Sequence, residues 1–351
     1  MKLRDYIIRR LILLVPVLIG VSVITFALTR LVGNPAAVYI DERCSQSNAC
    51  IAAVMERYGF NQPVPVQYLR YVWSVLHGDL GVSRTAAWLP VTEAIMMKFP
   101  ATFELASASM ILAVLLGIPL GVVSATRRNR PVDHASRVFA LSGVSVPVFW
   151  FGLMLKFALY WLPFVYLGST LLPISGRAGR NMYDVPGATV PAITNFYLVD
   201  SVLALSPDGL IDAIAHLLMP ALTLSFVTMA LITRMMRSSM LEVMNQEYIK
   251  TARSKGLSEK VVVKKHARRN AMIPTITVIG LSFGGLLGGA VLTETIFDWP
   301  GLGQWSALAI TMSDQAAVLG FTLLAAVIYV LANLVVDIVY AYLDPRIRLG
   351  E

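Results

Sequence analysis

Side chains able to do chemistry are few in this chain, and they are scattered. Its 2 cysteines, Cys44 and Cys50, lie six positions apart with no histidine nearer than His77. In an oxidising compartment such a pair can close a small disulfide loop; in a reducing one it stays as two thiols. The 4 histidines (His77, His134, His216, His266) fall in loops or at the edges of apolar runs. Glu104, Glu294 and Asp337 stand near the ends of such runs, where headgroup water solvates a carboxylate. Lys156 lies deepest. Its ammonium either snorkels back to the interface or borders a transport path, and Glu294 is the second candidate for such a path. The chain has no G-x-x-x-x-G-K-[ST] loop to cradle ATP phosphates. It also lacks H-E-x-x-H, G-x-S-x-G and any Cys/His cluster of zinc spacing.

The elements that must position these residues are apolar helices. The 351 residues are 56% hydrophobic and only 14% charged, against roughly 25% charged in soluble domains. Charges gather in short blocks between apolar runs of about 20 residues, the length of helix that crosses a bilayer. Six runs stand out, at about 9–31, 103–125, 138–162, 217–236, 274–296 and 317–342. The expected fold is therefore an all-α polytopic membrane protein with six transmembrane helices. The first run follows Arg9 and Arg10 but is too long for a signal h-region, and no A-x-A-like site follows it, so it reads as an uncleaved span.

Orientation comes from the 29 Lys and Arg. Lys2, Arg4, Arg9 and Arg10, the group Arg127 to Arg137, a dense group between Arg234 and Arg269, and Arg346 and Arg348 all fall on one side of a six-span fold. The longer segments on the other side are poorer in positive charge. The positive-inside rule then places both termini in the cytoplasm, and the net charge of +8 is a topology signature. Nucleic-acid binding is a poor alternative, because the basic residues abut spans and no soluble domain presents them.

Along the chain this gives a cytoplasmic N-terminus and first span (1–31), an outer segment (32–102), a membrane core (103–342) and a cytoplasmic tail (343–351). In the outer segment Val66, Leu69, Tyr71, Val72, Val75 and Leu76 suit a short helix lying on a surface, between "FNQPVP" and "HGDLG" turns. A second outer segment, about 163–216, reads as loop-rich, with "SPDG" as a turn. Gly280, Gly284 and Gly288 form a small-residue stripe for close helix packing.

Between the fourth and fifth runs lies "EYIKTARSKGLSEKVVVKKHARRNAMIP", Glu247 to Pro274, too basic to enter lipid. Ser238 to Lys255 favour helix, and Gly256 supplies a left-handed C-cap. Ser258 can cap a second helix to about Ala271, with Pro274 opening the fifth span. Thr251 and Ala252 are small enough for another protein surface to approach. The competing reading is a basic amphipathic segment lying on anionic headgroups, which leaves the glycine turn without a role.

The segment "EYIKTARSKGL…HARRNAMIP" resembles the EAA-type coupling loop of ATP-driven (ABC) importer permeases, in its peptide-permease variant. The resemblance runs over nearly the whole chain: "YIIRRLILLVPVLIGVSVITFALTRLVGNP", "PATFELA", "GIPLGVVSA", "SVPVFWFGLML", "LPISGR", "LTETIFDWPGLG" and "DPRIR" follow in the family's order. "FYLVDSVLALSPDGLIDAIAHLLMPALTL" is most similar to the B-type subunit of dipeptide permeases. Lys250 departs from the general motif, replacing its acidic residue, as in other peptide permeases. The resemblance implies a type I importer fold and a non-catalytic subunit in the cytoplasmic (inner) membrane of a prokaryote. It implies a second homologous permease subunit and two cytoplasmic ABC ATPases, which bind ATP and Mg while this chain holds no cofactor. An extracytoplasmic peptide-binding protein would deliver cargo. The coupling loop at about 237–273 would present Tyr248, Lys250, Thr251, Ala252, Lys255, Gly256 and Leu257 to an ATPase. Two other classes stay open on the residues alone. A secondary transporter would need midplane carboxylates, and a membrane enzyme would need a catalytic constellation.

Overall fold

The structure, a computed structural model, describes residues 3–32, 40, 44, 46–57, 59–179, 190–288 and 290–343. The terminal segment from 344 onward, with "DPRIR", Gly289 and the side chain of Asp337, lies outside the described parts. Helix α1 spans Leu3–Val32, α2 Asn48–Arg57 and α3 Val64–Leu76. A two-residue antiparallel ladder (β1 Val82–Ser83, β2 Leu89–Pro90) leads into α4, Val91–Thr126. Then come α5 (Pro131–Ser145), α6 (Val148–Lys156), a π-helical turn (Phe157–Trp161), α7 (Leu162–Leu167), α8 (Tyr197–Leu203) and α9 (Pro207–Met244). The last third holds α10 (Glu247–Ser254), α11 (Glu259–Val261), a second π-helical turn (Val262–Ala267), α12 (Arg268–Leu287), α13 (Val291–Ile296), α14 (Leu302–Thr311) and α15 (Gln315–Leu343).

Five stretches are long and apolar enough to cross a membrane: Val91–Thr126, Val148–Leu167, Pro207–Met244, Glu259–Leu287 and Gln315–Val336; a shorter one, Val15–Leu28, lies within α1. Together they make the six-span architecture read from the sequence. Three boundaries differ, each for a local reason. The third run, expected at 138–162, is not one helix: Val146 is extended (φ −80°, ψ 126°) between α5 and α6, because a residue preceding proline is pushed out of the α region. The fourth begins at Pro207 rather than 217. Its "SPDG" is a helix N-terminus, with the Ser206 hydroxyl accepting from Gly209 N at 3.2 Å and Pro207 in the first turn. The fifth does not open at Pro274. Helix runs from Glu259 to Leu287 with Pro274 inside it, then stops at Gly288 and resumes as the short α13. Proline is tolerated within a membrane helix whose neighbours and local adjustments satisfy the freed carbonyls.

The centre of the bundle is the parallel pair α4–α9. Glycines set its close approach: a Cβ at Gly121 would stand 2.6 Å from Met236 Cβ, and one at Gly117 would stand 3.0 Å from an Ile232 methyl. Dispersion contact and backbone proximity, rather than the hydrophobic effect, hold helices together in lipid, so small residues matter at such crossings. Of the glycine stripe on α12, Gly280 packs on Val336 and Gly284 on Ala332, both on α15 of the same chain.

Candidate functional site

At one end of the bundle α9 stops at Met244, and after Asn245 and Gln246 the chain turns into α10. The long helix expected from Ser238 to Lys255 is thus broken in two. Spacing on α10 decides what faces where: Ile249 and Ala252, three apart, point inward and join Met236, Met240, Val262, Ala267 and Ala271 in one apolar cluster. Ala252 is only 7% exposed. It is therefore part of the chain's own packing and does not offer the open surface expected of it. Tyr248, Lys250, Thr251, Lys255, Gly256 and Leu257 are exposed around it.

The turn itself is closed by backbone geometry. Gly256 has φ +76°, Gly256 N–H donates to Arg253 O at 2.9 Å, and Leu257 N–H reaches back to Ala252 O at 3.4 Å. That pair of bonds is a Schellman motif, which needs the left-handed residue that glycine supplies most easily. Ser258 stands at the next N-cap position but its side chain makes no capping bond. A two-pronged ion pair clamps the turn instead: Arg253 donates through Nε to Glu259 Oε2 at 3.1 Å and through Nη2 to Oε1 at 2.7 Å. Lys250 pairs with Glu247 at 2.6 Å, and Asn270 donates to the Tyr248 hydroxyl at 2.9 Å. Because the helix after the turn does not end at Ala271, the exposed turn leads through Leu257 and Ser258 directly into a membrane-crossing helix.

Near this end a second polar centre escaped sequence reasoning. Asp133 is fully buried and accepts from Ser124 Oγ (2.6 Å), Asn129 N (2.9 Å) and Arg237 Nε (2.8 Å). Hydrogen bonding from Arg237 is the largest cause holding its carboxyl far below the ordinary carboxylate range. Ser124, Asp133 and Arg237 belong to α4, α5 and α9, so the network ties three helices at their bases. The sequence signal is Arg237 itself, which with Arg234 brings charge in just past the apolar stretch of α9.

The opposite end places the remaining candidates. Cys44 and Cys50 are joined in a disulfide, with Cα atoms 5.3 Å apart. Glu104 and Glu294, expected against headgroup water, are both buried. Glu104 accepts from Arg177 Nη2 at 2.5 Å and from Leu198 N at 2.9 Å. Glu294 is 0% exposed and accepts from Thr102 Oγ1 at 2.9 Å and Gln304 N at 2.8 Å. The "WPGLG" glycines make room for it: a Cβ at Gly301 or Gly303 would lie 2.6 or 2.9 Å from Glu294 Oε2. Carboxylates so close to a span end survive burial because fixed donors replace water. Lys156 does not reach out to solvent; its ammonium donates to the Ile296 carbonyl and sits 5.0 Å from the Phe297 ring centre. The structure brings Lys156 and Glu294 to the same short α13 segment. It leaves them far along the chain from the Gly256 turn.

Comparison with known proteins agrees with this geometry. The description "Binding-protein-dependent transport system inner membrane component" matches residues 117–349, and the N-terminal description of the same kind of component matches residues 3–106. The chain is 42% identical over 345 residues to the dipeptide transport system permease protein DppB of Escherichia coli K12, covering 98% of each. It is 43% identical to the protein of the same name from Alkalihalophilus pseudofirmus, covering 98% of this chain and 99% of that one. Against the probable D,D-dipeptide transport system permease protein DdpB of Escherichia coli K12 it is 44% identical, covering 96% and 95%. With its apolar crossings, its two matched regions and these near full-length likenesses, the chain belongs to the family of binding-protein-dependent transport system inner membrane components.

Proposed function

We propose that this chain is one of two pore-forming subunits of an ATP-driven importer of dipeptides or short peptides. The observation that carries this reading is the exposed Gly256 turn, closed by a Schellman motif and leading directly into the helix Glu259–Leu287. A projection on a membrane-crossing helix is the part a separate motor needs in order to move the pathway. The dipeptide assignment rests on the names of the relatives. In this reading both termini and the Gly256 turn face the cytoplasm. Tyr248, Lys250, Thr251, Lys255, Gly256 and Leu257 meet an ATPase, while Ala252 supports them from beneath.

A second, homologous permease subunit completes the pore, two ATPases hold ATP with Mg, and an extracytoplasmic binding protein delivers the peptide. This chain contributes no catalytic group to hydrolysis. Lys156 and Glu294, with their partners around α13, brace the outer end of the pathway rather than select cargo. ATP binding would draw the ATPases together and rock α11–α12 through the turn, exposing the pathway to each side in succession. The test is reconstitution in proteoliposomes with the partner permease, the ATPases and the binding protein, following a labelled dipeptide. Accumulation that requires ATP and the binding protein supports the reading. Accumulation driven by an ion gradient without ATP overturns it.

A further inference from the structure

At the end of the bundle that the charge pattern assigns to the outside, a cleft of about 240 Å³ opens between α1, α3 and the start of α15. Its charged lining is Arg30, Arg70 and Asp79. Arg30 stacks on Phe26 and Phe60, with its guanidinium carbon 4.9 and 5.7 Å from the ring centres. Among the described residues neither arginine has a carboxylate within ion-pair distance. Asp79 is occupied by the Gly81 N–H at 2.8 Å. Two guanidinium charges against one carboxylate leave the cleft one positive charge in excess.

Two further polar atoms in the lining lack partners. Gln67, only 8% exposed, donates through Nε2 to the Phe60 and Gln62 carbonyls at 3.0 and 2.7 Å, while its Oε1 has no donor. The Tyr71 hydroxyl is buried and likewise unpartnered. Both atoms are sealed inside the wall, so the cleft's own recognition chemistry is that of its arginines.

Tyr71 also lines a second, apolar groove of about 320 Å³. That groove runs deeper along α1 and α15, past Val15, Ile19, Val75, Leu323 and Val327. Its back wall is fixed: Ser22 Oγ and the Tyr68 hydroxyl lie 2.8 Å apart, and Phe26 packs against Tyr68 and Tyr71 with ring centres 5.4 and 5.8 Å away.

We infer that the cleft and groove together bind one phospholipid with a monoanionic headgroup of the phosphatidylglycerol kind. Its phosphodiester lies at Arg30 and Arg70, and an acyl chain fills the groove. The net charge selects against zwitterionic lipids. The adjoining apolar groove at the depth of the first span selects against a free phosphate. Such a lipid would glue α3, and with it the outer segment, to α1 and α15.

Native mass spectrometry of the purified complex tests this with palmitoyl-oleoyl phosphatidylglycerol, phosphatidylethanolamine and phosphatidylcholine. Glycerol 3-phosphate serves as a headgroup-only competitor. One phosphatidylglycerol per copy should be retained, about tenfold more tightly than either zwitterionic lipid. Arg30→Gln with Arg70→Gln should abolish that preference, and Arg84→Gln, an exposed arginine outside the cleft, should leave it. Val75→Trp fills the groove while sparing both arginines, so it should lose the lipid with an unchanged unfolding midpoint in lipid-free detergent; it carries the test if the double variant fails to assemble. Equal retention of the three lipids, full preference in the double variant or in Val75→Trp, or displacement by glycerol 3-phosphate as effective as by the lipid would each overturn the inference.

Discussion

Replacing Gly256 with valine isolates the turn from everything around it. A Cβ built at Gly256 meets nothing within 4 Å, so the substitution creates no clash. Its whole cost comes from φ +76°. A side chain in the left-handed region costs roughly 1–2 kcal/mol for an L-residue, and a β-branched one stands at the upper end. The Arg253–Glu259 clamp cannot absorb this, because both side chains are about half exposed (40% and 57%) and such pairs contribute about 0–1 kcal/mol. The closed turn therefore falls in population by a factor of about 5–30 relative to opened forms. The global fold should hold, since α10 remains anchored through Ile249 and Ala252.

The assay is ATP hydrolysis by the assembled complex with and without loaded binding protein, alongside uptake and thermal unfolding. Valine should abolish most of the stimulation while the unfolding midpoint moves little. Gly256→Asn tolerates the left-handed region and should retain most coupling; Gly256→Ala should fall between. A normal stimulated rate in the valine variant would refute the role given to the turn. Equal damage from Asn and Val would show that side-chain volume, rather than backbone conformation, is what the partner senses.

Other outcomes follow from the same geometry. Ala252→Asp places an unpaired charge in the apolar cluster and should lower the chain's thermal stability by several degrees, whereas Thr251→Glu should leave the midpoint alone and reduce ATPase retention on affinity purification. Arg237→Met strands the buried Asp133 and should cost about 2–3 kcal/mol, less than a fully buried pair because Arg237 keeps 21% exposure; Asp133→Asn in the same chain should recover part of it in denaturation curves. The depressed Asp133 value means its contribution is complete above the ordinary carboxylate range and is lost only as pH falls through the folded value, so unfolding midpoints should be flat from pH 5 to 8 on this account. Alkylation of the purified chain should reach Cys44 and Cys50 only after reduction. In a chain freed of both, an impermeant thiol reagent on intact cells should label a cysteine at position 84 and spare one at 255; the reverse pattern would invert the topology.

The number and order of the crossings were legible in the sequence, because lipid leaves helices no alternative and forces charge into the segments between them. The Gly256 turn was legible for a similarly local reason: a lone glycine between helix-forming runs, with its hydrogen bonds closing within six residues. The two carboxylates at the opposite end of the bundle were not. Glu104 and Glu294 look like interfacial residues in sequence, and only the approach of Arg177 and Thr102 from distant parts of the chain, with the nearby Gln304 amide, makes their burial tolerable. Ala252 and Thr251 are neighbours of similar size, yet one is core and the other surface. That division depends on the 100° step of α10 and on which side Met236 and Met240 happen to pack. Local backbone chemistry and the solvent fix what one segment can do by itself. Which buried charge finds its partner depends on groups a hundred residues apart, and only the folded chain brings them together.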